Sequence, residues 1–191
     1  LSSARSLVTG GSITTTVGDI IVHSENSSLL VARNKSSVET GDTGVGITLA
    51  YNTVGYETQD ILSQTFDALF AGDWFARENA SKVYAVVTDT PLAAGGGISV
   101  TADAAATIRA LVSNEVASNA GALSGACGKA GGAIVSSNVV LADTKATIHK
   151  PNGGNGQATA GGGDFVIQAN DLASITANTK LLATSSTTND G

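Results

Sequence analysis

The chain holds almost none of the residues that make a conventional core or a conventional active site. It has no methionine, two prolines, one cysteine, one tryptophan, three tyrosines and four phenylalanines in 191 residues. A single cysteine, Cys127, excludes an internal disulfide and a cysteine-based metal centre. Aromatics at 4% and charged residues at 14% exclude a thick core of large side chains, and they sit far below the roughly 25% charge of an ordinary soluble domain. No apolar run approaches the ~20 residues of a membrane-spanning helix. The ten Lys and Arg stand singly, and the formal charge of −6 argues against binding the phosphates of a nucleic acid. Glycine follows no three-residue period, which excludes collagen.

What remains is small. Alanine (29), glycine (23), threonine (22) and serine (20) make up nearly half of the chain. With 42% hydrophobic residues and little net charge, disorder is not expected. Layers built from such residues must lie close together. The chain opens at Leu1 without a charged and apolar leader pattern, and together with the lack of methionine this suggests a processed or excised piece of a longer protein.

A 15-residue block occurs three times without gaps: GDIIVHSENSSLLVA at 18–32, GGISVTADAAATIRA at 96–110 and GDFVIQANDLASITA at 163–177. The third and fifth positions are apolar in every copy (Ile20 and Val22, Ile98 and Val100, Phe165 and Ile167). So are the thirteenth and fifteenth, and polar residues alternate between them. Period-two patterning of this kind marks strands with one buried face. The Asp and Asn near Ser24–Asn26, Ala102–Ala104 and Ala169–Asp171 suit turns, so each block reads as two short strands separated by a bend. A second element also repeats: GITLAYN at 46–52 aligns with GAIVSSN at 132–138. Short strands follow near 83–87 and 146–148, and glycine-rich corners at 95–97 and 161–163 lead into the next block.

A pattern that recurs at this spacing predicts an all-β parallel β-solenoid (β-helix) as a single domain over 1–191, each turn burying its apolar face against the next. The alternative is an antiparallel β-sandwich of short strands. No Asn-Gly hairpin turns join neighbouring strands, which favours the solenoid.

The first repeat carries about 25 extra residues, a helical insertion within 53–80. Ile61, Leu62, Thr65, Phe66, Leu69 and Phe70 form a helical stripe, which predicts one amphipathic helix over about 58–70 that stops at Gly72. Phe66, Phe70, Trp74 and Phe75 are half of all the aromatics. They serve either as a cap over apolar solenoid surface or as an interaction surface for a neighbouring module.

Reactive constellations are missing. His23 takes the outward sixth position of its block, where the other copies have Thr101 and Gln168, and reads as a solvated strand residue. His149 precedes a turn. No metalloprotease, nucleophile-elbow, Walker or paired-cysteine pattern occurs. Gly161-Gly162-Gly163-Asp164 lacks the helix and Lys of a phosphate loop and reads as a corner. Asp19 and Asp164 share a block position, but the middle copy has Gly97, so a structural calcium site has only fragmentary support and no cofactor is expected. Arg109 and Lys180 come out as near-equivalents in neighbouring repeats, without a carboxylate pair beside them. Cys127, within a run of small residues, reads as buried.

The sequence GGISVTADAAATIRA, the Ala/Gly/Ser tract at 117–133, and AIVSSNVV with TKATIH resemble the repeats of giant bacterial surface proteins, the filamentous-haemagglutinin-like adhesins and LEPR-XLL-type proteins. YNTVGYETQDILSQTFDALF at 51–70 resembles a helical insertion between such repeats. The resemblance covers most of 18–177. It implies an extracellular, cell-surface β-helix used in adhesion or as a scaffold, without catalytic residues. Residues 1–17, with Ile13 and Val17, and 178–191, with Leu181 and Leu182, are β-prone and read as incomplete coils, which predicts that one chain end stacks on another into head-to-tail filaments, the partners being copies of the chain or neighbouring repeats. Two other roles follow from the residues: a module binding surface glycans through exposed Tyr51, Asn52 and Asn138, and, less favoured, a β-helix enzyme acting on polysaccharide.

Overall fold

A computed structural model describes residues 3–55, 80–122, 126–150 and 157–189. Among them are eleven β-strands and no helix. They fall into three repeats. The first contains β1 (Ala4–Thr9), β2 (Ile13–Thr15), β3 (Ile20–Thr40) and β4 (Thr43–Val54). The second contains β5 (Ser81–Thr88), β6 (Leu92–Ala94), β7 (Ile98–Ala122) and β8 (Lys129–Val140). The third contains β9 (Ala142–His149), β10 (Ala158–Ala160) and β11 (Phe165–Asn189).

Each strand type makes its own sheet, and repeat order is sheet order. The sheets are β1-β5-β9, β2-β6-β10, β3-β7-β11 and β4-β8, and none closes on itself. The first two are parallel throughout. In the long sheet Asp19 bonds Gly97 and His23 bonds Thr101, both 78 residues apart, so β3 and β7 run the same way in register. In the fourth, the Lys129 amide bonds the Asp42 carbonyl and the Leu141 amide bonds the Val54 carbonyl, again a constant offset. Parallel pairing between distant repeats is the opposite of the antiparallel sandwich. The three 15-residue blocks begin adjacent strands of one sheet, as the sequence alignment requires.

The offsets also locate the insertion. Asn52 meets Asn138 across 86 residues, whereas Ser81 meets Ala142 across 61. The difference of 25 is extra chain in the first repeat after β4. The helix expected over 58–70, with Phe66, Phe70, Trp74 and Phe75, lies outside the described residues.

The expected bend inside each block does not form: β3, β7 and β11 are continuous strands of 21, 25 and 25 residues. The Asp and Asn that read as turn formers bond distant strands instead. Asn170 donates from Nδ2 to Asp103 Oδ1 on the neighbouring strand at 2.6 Å, and Asn26 donates to Ser81 Oγ on β5, in another sheet, at 3.0 Å. A side chain bonded to another strand has no need to bond its own backbone, which removes the local reason for turning.

The turns that do form use residues fit for them. Gly10 has φ of 73°. Seventy-nine residues on, the parallel register places Asp89 in the same role, with φ of 52°. Asp is among the few residues that tolerate this region. At the corner before β7, a Cβ on Gly95 would stand 2.1 Å from the Thr16 carbonyl oxygen, so the backbones of successive repeats approach too closely for any side chain.

The chain divides into two compact units. The first (Leu1–Ser28, Val54–Ala106, Val140–Ser174) holds a core from three sheets: Ile20 and Val22; Val83, Ala85 and Val87; Leu92 and Ala94; Ile98, Val100, Ala102 and Ala104. The second (Leu29–Thr53, Thr107–Val139, Ile175–Gly191) buries Ile108, Ala110, Val112 and Val116 of β7, with Thr48 and Ala50 on β4. Its interior is thin. A methyl group on Gly46 would come within 2.7 Å of Val116 Cγ2 and 3.0 Å of Asn114 Oδ1. Gly132 takes the equivalent place on β8. Asn114, 1% exposed, donates to the Gly46 carbonyl at 2.9 Å and the Ala133 carbonyl at 3.1 Å, and its Oδ1 accepts from Ser36 at 3.3 Å. Both of its N–H donors and its oxygen thus have partners inside the unit, which is what permits a buried amide.

Burial is graded by repeat. At the block's third position Ile98 is 1% exposed and Ile20 5%, whereas Phe165 is 47% exposed. The middle strand is covered on both sides and β11 on one. Ile98→Ala is therefore expected to cost about 2–5 kcal/mol in urea unfolding, from lost transfer energy and the cavity left behind. Phe165→Ala removes a larger side chain at the equivalent position and is expected to cost clearly less in the isolated chain.

Candidate functional surfaces

The inward rows are committed to burial, so chemistry is confined to outward positions. In the first unit the outer face of β3-β7-β11 carries two polar rows. One is His23, Thr101 and Gln168; the other is Glu25, Asp103 and Asn170. His23 Nδ1 lies 2.8 Å from Thr101 Oγ1 and 3.6 Å from Asp103 Oδ2, and its Nε2 lies 3.7 Å from Glu25 Oε2. A hydroxyl, an imidazole and a carboxylate in series is the order of a nucleophile and its base. Here the Glu25 contact is beyond hydrogen-bonding distance, so it does not fix the imidazole. The arrangement is a surface ladder in which each repeat contributes one polar side chain to each row.

On the outer face of β1-β5-β9 the register sets Arg5 beside Tyr84 and Tyr84 beside Lys145. The Arg5 guanidinium lies 5.5 Å from the Tyr84 ring centre, a cation–π distance. The Tyr84 hydroxyl donates to the Asp143 carboxylate. That bond holds the proton on the phenol and pushes its pKa above 10.0, with burial and the Asp143 charge adding to the effect and Arg5 opposing it.

The remaining positions singled out in the sequence fall as follows. Cys127 is exposed, not buried. The reason is alternation: Gly128 faces inward, where a Cβ would meet Ser185 Oγ at 2.9 Å and Ser118 Oγ at 3.0 Å, so its neighbour faces out. Asn52 is buried and donates to Asn138 Oδ1 at 2.8 Å, so it forms an internal amide ladder and does not present a glycan-binding group. Asp19 accepts from the Gly97 amide at 2.7 Å, and among the described residues no three His, Cys, Asp or Glu converge to hold a metal. A side chain at position 97 would run into the Asp164 backbone, at 2.8 Å from Cβ, which explains glycine in the middle copy. No described helix is long and apolar enough to cross a membrane. The four aromatics of the expected interaction surface lie outside the described residues.

A last surface is the inner row of β11, of which the sequence reading singles out only Leu181 for end-to-end stacking. Phe165, Ile167, Ile175 and Leu181 are 45–48% exposed, in register with positions that β7 buries. The chain matches no family model, no curated protein and no solved structure.

The Tyr84 pair gives a direct test of the outer-face register. Asp143→Asn removes the charged acceptor, and Tyr84 is expected to titrate nearer 10.0, read by tyrosinate absorbance with Tyr84→Phe as the difference control. Because the folded value is the raised one, the stabilising effect of the pair is full below pH 10 and lost as pH climbs through the folded pKa.

Proposed function

We propose that this chain is a section of a parallel β-solenoid that works as a structural and adhesive module, extending by the addition of further repeats to its end strands. The single observation that carries the reading is the half-exposed inner row of β11. A strand with free backbone groups along one edge and an uncovered apolar row is a template for another strand of the same pattern. The occupant that fits it best is a repeat of the same kind, because the spacing, direction and inward periodicity are already set by β3 and β7. A second copy of the chain offers such a repeat at β1–β3, and contact between unlike ends propagates without closing. The resemblance of the blocks to giant bacterial surface proteins supports an extracellular, cell-surface setting for such a fibre. Among the described residues no arrangement of groups favours an enzymatic role.

Sedimentation velocity and electron microscopy of the purified chain test this. Mass that grows with concentration, and filaments that disappear in Phe165→Lys/Ile167→Lys with the circular dichroism spectrum unchanged, are the expected results. A chain that stays monomeric at high concentration overturns the reading.

A further inference from the structure

The outer face of the long sheet in the second unit gathers cations in a chain that is acidic overall. Arg33 and Lys35 on β3, Arg109 on β7 and Lys180 on β11 are four of the ten Lys and Arg, against a net charge of −6. All four are exposed. None forms an ion pair with another described residue. The 78-residue offset seen at Ser36 and Asn114 puts Lys35 beside Ser113. The 67-residue offset of Asn170 and Asp103 carries on along β11 to put Lys180 on the other side of Ser113. Lys180 is therefore the neighbour of Ser113 and not a near-equivalent of Arg109, which the same 67-residue offset sets beside Thr176. Two ammonium groups thus rise from strands about 10 Å apart, two strand spacings, with a hydroxyl between them.

They line a groove of about 350 Å³. Leu111 and Leu182 give it apolar walls, while Asn178 and Glu115 add an amide and a carboxylate. The volume is within the range of small-ligand sites. We infer that this groove binds a carboxylated sugar, such as a hexuronate unit of an acidic polysaccharide.

Each part of the groove meets a part of that ligand. Lys35 and Lys180, long and flexible, converge on one carboxylate over Ser113. The leucines receive the C–H face of the ring. Glu115 and Asn178 bond ring hydroxyls, and Glu115 is the discriminating group. A carboxylate in the groove repels a densely charged polyphosphate but accepts hydrogen bonds from a polyol. The site therefore suits one negative charge per sugar surrounded by hydroxyls, rather than a nucleic acid. It does not depend on end-to-end assembly, since all its residues belong to one unit of one chain.

Calorimetric titration of the whole chain with an oligouronate, its uncharged homologue, the monomeric hexuronate, inorganic phosphate and a single-stranded oligonucleotide tests the assignment. The oligouronate is expected to bind and its uncharged homologue not to. Lys35→Gln and Lys180→Gln are each expected to weaken binding roughly tenfold or more, as for loss of a charge-assisted hydrogen bond. Lys145→Gln, in the other unit, leaves binding unchanged. Glu115→Gln weakens the sugar while strengthening phosphate. Equal affinity for monomer and oligomer assigns the site to a free sugar, and a gain with length assigns it to a polysaccharide. Failure of the uronates to bind, equal loss in Lys145→Gln, or phosphate or oligonucleotide binding as tightly as uronate overturns the inference.

Discussion

Everything in this protein depends on one contact: an inward side chain of one repeat is covered by the residue at the same position of the next. Neighbouring parallel strands lie about 4.8 Å apart, so a row of identical positions forms a continuous apolar ribbon at right angles to the chain. On β7, with a strand on each side, Val100 and Ile108 are fully buried, while the same rows on the end strand β11 are half exposed; Ile20 and Val22 on the other end strand, β3, stay buried at 5% and 6%. Stability in such an array comes mainly from the interfaces between repeats, not from any repeat alone.

The scarcity of large side chains follows from the same constraint. In the second unit a Gly at 46 and its counterpart at 132 let β4 and β8 come down upon Asn114 and Val116, and a single added methyl at 46 would meet Val116 below contact distance. A thin interior leaves little room for bulk, so Ala, Ser, Thr and Gly dominate. The buried Asn114 amide takes partners from the Gly46 and Ala133 carbonyls, and the Asn52 amide takes one from the Asn138 side chain, whereas the Ser24 and Thr48 hydroxyls are buried without a hydrogen-bond partner.

Much of this was legible in the sequence, and the misreadings have a common cause. Period-two alternation and gap-free blocks identify the strands and which of them are neighbours, because both depend on chain-local pattern and constant offset. The length difference between repeats located the insertion after β4. Asp103 and Asn170 were misread as turn formers because their bonding partners lie 67 residues away, and turn rules weigh only near neighbours. Cys127 and Asn52 were misplaced for a related reason. Inside or outside is set by the phase of alternation: in the Gly, Ala and Ser run around Cys127 nothing in the composition marks the phase, and around Asn52 it is reversed, with Ile47 and Leu49 facing out and Thr48 and Ala50 in. The cationic groove needed the offset to be carried beyond the 15-residue blocks, along strands whose full length is set by the sheet. Outward rows are free of the burial constraint, so their chemistry changes from repeat to repeat while the inward rows hold.

The central claim is tested most directly by paired cysteines in a Cys127→Ser background. Ile21→Cys with Ser99→Cys, and Ser37→Cys with Glu115→Cys, are both 78 residues apart on outward positions of β3 and β7. Parallel strands in one register bring both pairs to a distance that a disulfide spans. Mild oxidation of the monomeric chain should therefore close each of them rapidly, and the off-register pair Ile21→Cys with Thr101→Cys much more slowly. Closure of only one of the two matched pairs, or no preference for them over the off-register pair, would contradict the account.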